Sequence, residues 1–238
     1  MAGIIIFQPG HSSWAASGGA FMNIVESIST KLDLDIPTVE ANMLLDLSIG
    51  DTATVSILIE SINETWQKVL EEHATIENIS SSYLLSLSDL KTLALFNLFK
   101  HQGKIAAFDT GPLGTIKYRD CSWSAPRHIF NHLVERFAAG ARNINALALT
   151  KLLIKTRVET EPTSLDLTLR PSTELALFEQ FTESQMTSYL NKKGLRFADQ
   201  SLFAMTLPYA QLLGQFLSCV DSENTAANVT TTHLSSPI

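Results

Sequence analysis

His128, His132 and Glu135 stand at positions i, i+4 and i+7. On a helix advancing 100° per residue they fall within about 60° of one another. Two imidazoles and a carboxylate on one face make a candidate transition-metal site that needs one more ligand or a water. Cys121 or Asp120 in the preceding segment is the nearest source of that ligand. The competing account is a solvated polar face opposite the Ile129–Phe137 stripe, with Glu135 paired to a neighbouring base. No His-Glu-x-x-His pattern accompanies the triplet.

Asp109-Thr110-Gly111 follows an apolar run, the setting of an aspartic-protease carboxylate. That chemistry needs two carboxylates sharing a proton, and no second Asp-Thr/Ser-Gly exists in the chain. The same stretch, Asp109 to Gly114 with Thr115 and Lys117, also fits a phosphate-binding turn whose glycines let backbone N–H groups approach an anion. An ordinary Asp-Gly-Pro turn fits it as well. Gly10-His11-Ser12-Ser13-Trp14 and Ser17-Gly18-Gly19 lie between an expected strand and an expected helix. A phosphate can sit there at the helix N-terminus. Neither a Walker pattern, nor Gly-x-Gly-x-x-Gly, nor a Gly-x-Ser-x-Gly elbow is present.

The charge distribution is the most informative feature. The 238 residues carry a net charge of −7, but unevenly. Residues 1–90 hold two basic and twelve acidic side chains, whereas residues 91–157 hold eleven basic and three acidic ones. The basic segment includes Lys100, Lys104, Lys117, Arg119, Arg127, Arg136 and Arg142, with Tyr118 and Trp123 interleaved. Cations alternating with aromatic rings suit an anionic ligand or a nucleic acid, the rings stacking on bases. The plainer account sets the basic third against the acidic first third, within the chain or across a contact between copies.

Two cysteines, Cys121 and Cys219, have no metal-like spacing and are too few for a typical secreted chain, so a cytoplasmic location is expected. No basic residue precedes Lys31 and the first apolar run is short, so no secretory signal is expected. The apolar window Leu202–Val220 contains Pro208, Gln211 and Gln215, which favours a buried, Pro-interrupted helical pair over a membrane span. No internal repeat is apparent.

The elements that must position these groups follow from periodicity. Strands are expected at 3–7, 105–108 and 116–119, with a loop over 11–20. Helices are expected at 20–32, 38–47, 55–72, 84–100, 126–140, 146–154 and 172–193. Residues 84–100 are apolar nearly all round and belong at the centre of a core. Alternation over 155–170 reads as a β-hairpin. The expectation is an α+β fold, mainly helical, with a single core over 1–220 and a flexible polar C-terminal tail over 221–238.

The function expected is binding and assembly without catalysis: an adaptor, an inhibitor or immunity-type protein, or an assembly subunit. The basic segment 91–157 would meet an anionic or acidic protein partner or a second copy of the chain. Two other classes stand beside it. One is a nucleic-acid-binding protein using the same segment, and the other an enzyme acting on a phosphorylated small molecule through the 10–19 loop and the 109–114 turn. Nothing in the sequence calls for a particular cofactor.

Overall fold

The computed structural model describes residues 1–10, 12–70, 80–143, 147–191 and 199–233. The chain is a mainly helical α+β fold built as the same series of elements run twice. The first copy comprises β1 (Ala2–Gln8), β2 (Ser12–Ser17), α1 (Gly18–Leu32), α2 (Ile36–Asn42), β3 (Leu44–Ser48), α3 (Thr52–Leu70) and α4 (Ser81–His101). The second comprises β4 (Leu113–Tyr118), β5 (Cys121–Pro126), α5 (Arg127–Asn143), α6 (Leu147–Lys155), β6 (Thr163–Asp166), α7 (Ser172–Leu190) and α8 (Gln200–His233).

Each copy makes a three-stranded sheet, in the orders β2-β1-β3 and β5-β4-β6. The central strand pairs antiparallel with its hairpin partner and parallel with the third strand. The register repeats residue for residue: Ile5 faces Trp14 and Leu45, and Ile116 faces Trp123 and Leu165. Trp14 donates its indole N–H to the Ser86 carbonyl on α4 at 2.9 Å; Trp123 donates to the Tyr209 carbonyl on α8 at 3.0 Å. A Cβ built on Gly3 would lie 2.1 Å from Cγ of Phe21, and one on Gly114 would lie 2.1 Å from Cγ of Phe130. In both copies a glycine in the central strand therefore lets a helix phenyl ring rest on the backbone.

The repeat that the sequence seemed to lack is thus present. Ser13-Trp14, Ala16, Phe21, Val25 and Glu26 match Ser122-Trp123, Ala125, Phe130, Val134 and Glu135 at constant spacing. Leu45-Asp46-Leu47 matches Leu165-Asp166-Leu167. The spacing between matched residues changes at the β1–β2 turn and again before β3, so no fixed period runs through the chain.

Periodicity located α1, α3, α4, α5, α6 and α7, and α4 is the central helix, packed against α3, α5 and β2. Ser17 caps α1, Ser80 caps α4, and Asp51 accepts from the Ala53 amide and the Thr54 hydroxyl to start α3. The buried apolar side chains of both copies form one contiguous cluster.

Several expected elements are different. The 155–170 hairpin is a single strand, β6, lying parallel to β4. The Asn131 side chain takes both the N–H of Val158 (2.7 Å) and its carbonyl (2.8 Å), which leaves that residue nothing to offer a strand partner. The 11–20 loop contains β2. The 38–47 helix stops at Met43, whose φ of 50° breaks it before β3. Ile105–Asp109 is a short 3-10 turn in place of a strand. The final helical pair is one helix, α8, with Pro208 inside it, and it continues past Val220 to His233. Among the described residues no helix is long and apolar enough to cross a membrane.

Candidate functional site

A cleft of about 740 Å³ opens between the two copies. One wall is α3, through Ile59, Glu60, Asn63, Glu64 and Gln67. The floor is Lys91, Thr92 and Leu95 of α4, and the other wall is Arg127, His128 and Asn131 of α5 with residues 157–160. Its size is that of small-molecule and peptide sites.

Charge is concentrated at the floor. Lys91, 6% exposed, bonds to Glu135, which is wholly buried. Arg157 donates to the same carboxylate oxygen at 3.2 Å. The Asn63 side-chain carbonyl accepts from Lys91 at 3.4 Å and from Arg157 at 3.5 Å. Burial draws the Lys91 ammonium below its ordinary range, against the pull of Glu135, and the Arg157 charge adds to the lowering. Across the cleft, Glu60 and Glu64 share Lys31 of α1 at 3.2 and 3.3 Å.

Behind the floor a second buried group joins the two copies. Arg136 pairs with Asp89 and lies over the Tyr189 ring, 5.3 Å from its centroid. His132 Nδ1 is 3.0 Å from the Thr92 hydroxyl and 3.3 Å from that of Ser88. Burial, and then the Arg136 and Lys91 charges, hold this imidazole well below 6.5, so it is neutral. Thr92, His132 and Asp89 are the residue types of a nucleophile, base and acid. However, the Thr92 hydroxyl donates to the Ser88 carbonyl at 2.8 Å and the Ser88 hydroxyl to the His132 carbonyl at 3.2 Å. With both protons spent, Nδ1 is a donor to these oxygens, not their base. Both residues lie mid-helix, where the backbone N–H groups an oxyanion would need are already used. The cluster ties α4 to α5.

The residues singled out from the sequence are scattered. His128, His132 and Glu135 do share a face of α5, but they are engaged separately. His128 packs on Phe99 and Phe108 at ring distances of 5.2 and 5.3 Å, and burial with the Arg127 charge pushes it down to about 4. Among the described residues no three His, Cys, Asp or Glu side chains come together as a metal site. Cys121 is joined to Cys219 across 98 residues, fastening β5 to α8. Two cysteines remote in sequence are therefore a cross-link, which spacing alone does not reveal.

Of the basic residues, Lys100, Lys104, Lys117 and Arg119 are exposed on different elements. Arg127 lines the cleft and Arg136 is buried in its ion pair. Arg142 ends α5, its side chain outside the described residues. Tyr118 and Trp123 are 4% and 2% exposed and cannot stack on a base. One ion pair, Asp89–Arg136, joins the acidic first third to the basic segment, whereas Glu60 and Glu64 of α3 pair with Lys31, and Lys91 and Arg157 pair with Glu135. Asp109 accepts from the Tyr209 hydroxyl at 2.7 Å and so holds α8. Gly111, Thr115 and Lys117 line a separate groove of about 400 Å³ beside β6, with no residue of the 10–19 segment. His11 lies outside the described residues. Reading the sequence missed Lys91, Arg157, Asn63 and Glu135 as one group. Its one available signal was Glu135 inside an otherwise basic stretch.

Comparison with known proteins found no family model, curated relative or solved structure that matches the chain.

Proposed function

We propose that this is a non-catalytic binding protein that holds a negatively charged group of a partner in the cleft between its two copies. One observation carries the reading: Lys91 and Arg157 share a single buried carboxylate, leaving positive charge in excess at a shielded floor. Uncompensated charge away from bulk water is costly, and an incoming carboxylate or phosphate offsets that cost. Arg127, on the adjoining wall, supplies a third cation to the same anion. The burial of Tyr118 and Trp123 removes the stacking that a nucleic-acid reading needs.

Titration with succinate and with inorganic phosphate, followed by calorimetry and thermal melting, tests the reading. Binding is expected for the wild type, weakened at least about fivefold by Arg157→Gln and by Arg127→Gln. Melting that neither anion moves would overturn it. A cytoplasmic binding protein would carry Cys121 and Cys219 as thiols, whereas an oxidising compartment would keep them joined. Alkylation of the native protein before non-reducing mass measurement separates the two locations.

A further inference from the structure

We infer that the occupant of the cleft is a short amphoteric segment of peptide, its carboxylate on Lys91 and Arg157 and a basic side chain against Glu60 and Glu64. This rests on the anion-binding reading above and adds the second charge. The two glutamates are one turn apart on α3, line the cleft, and keep 63% and 55% of their side chains exposed. They share one lysine, Lys31, so this wall keeps a net negative charge. A polyphosphate entering towards Arg157 would pass these carboxylates and be repelled by them. A ligand carrying both signs satisfies both walls. Half-buried Ile59 and Leu95 also line the cleft and give it apolar surface beside the charged groups. That is the lining for a side chain such as leucine between an acidic and a basic residue.

Three end-blocked tripeptides titrated by calorimetry against the full chain decide it: acetyl-Lys-Leu-Glu-amide, acetyl-Gln-Leu-Glu-amide and acetyl-Lys-Leu-Gln-amide. The first should bind about threefold to fivefold tighter than the second, and the third weakest. Glu60→Gln with Glu64→Gln should erase the advantage of the first peptide over the second without weakening the second. Arg157→Gln should weaken both peptides that carry glutamate, which a general loss of structure at α3 would not mimic. Equal affinity of the first two peptides, or binding of succinate but of no peptide, would overturn this inference and leave the anion-binding reading intact. Failure of every peptide, of succinate and of phosphate would overturn both.

Discussion

Glu135→Gln is the sharpest probe of the charged floor, because it keeps the shape of the side chain and removes its charge. Glu135 is wholly buried and is the carboxylate shared by Lys91, which is nearly so, and Arg157. Removing one partner of a buried ion pair costs about 3–5 kcal/mol, since the remaining charge is left without compensation. Here two cations lose their partner, so the upper part of that range applies. For a chain of this size each kcal/mol lowers the melting temperature by roughly 2–4 °C, so a fall of about 10–20 °C is expected. Urea unfolding followed by the fluorescence of Trp14, Trp66 and Trp123 measures the same loss. Replacing Lys91 and Glu135 together, Lys91→Met with Glu135→Leu, should recover the part of the loss that falls on Lys91, because an apolar pair of similar volume needs no compensation, while Arg157 stays without its carboxylate. A single variant within about 1 kcal/mol of the wild type would mean that water screens the floor. The reason for an anion to bind there would then vanish.

Acid should weaken the fold through its buried imidazoles. His128 and His132 have folded pKa values below the ordinary 6.5, so the unfolded chain takes up protons first as pH falls. Each then removes about 1.4 kcal/mol per pH unit below 6.5, levelling for His128 near its folded value of about 4; denaturation midpoints at pH 7.5, 6 and 5 check this, and His128→Phe should flatten the slope. Gly114→Ala drives a methyl into the Phe130 ring and should cost about 3 kcal/mol, with Phe130→Leu in the same chain restoring part of it in thermal melts. Gly3→Ala should behave alike against Phe21. Cys219→Ser opens a loop closed across 98 residues and should cost about 2–5 kcal/mol, matched by the wild type melted in reductant.

Helices with one apolar stripe were legible because burial on one side imposes a 3.6-residue period. The central position of α4 was legible because its apolar residues go all the way round. Strands were less so. In β2, Ser13, Ala15 and Ser17 on the outer face are small, and the loop-like composition conceals a strand whose inward residues are Ser12, Trp14 and Ala16. In 155–170 the alternation is real, but Asn131 intercepts the backbone of Val158, a contact from another element that no local pattern contains. The charged floor was hidden for the same reason. Lys91 on α4, Glu135 on α5 and Arg157 in the segment after α6 are remote in sequence, and no local pattern brings the three together. The duplication left its mark in Trp14 with Phe21 and Trp123 with Phe130, at equal spacing.

The two walls of the cleft belong to different copies of the repeated unit: α3 and α4 on one side, α5 and residues 157–160 on the other. A guest gripping both would act as a clasp. Its binding energy would appear as cohesion between the halves, because neither half can come apart without releasing it. Occupancy would then be felt at the seam along α4 and α5, which reaches both sheets through β2, β4 and β5, and any surface spanning that seam would stiffen when the cleft fills.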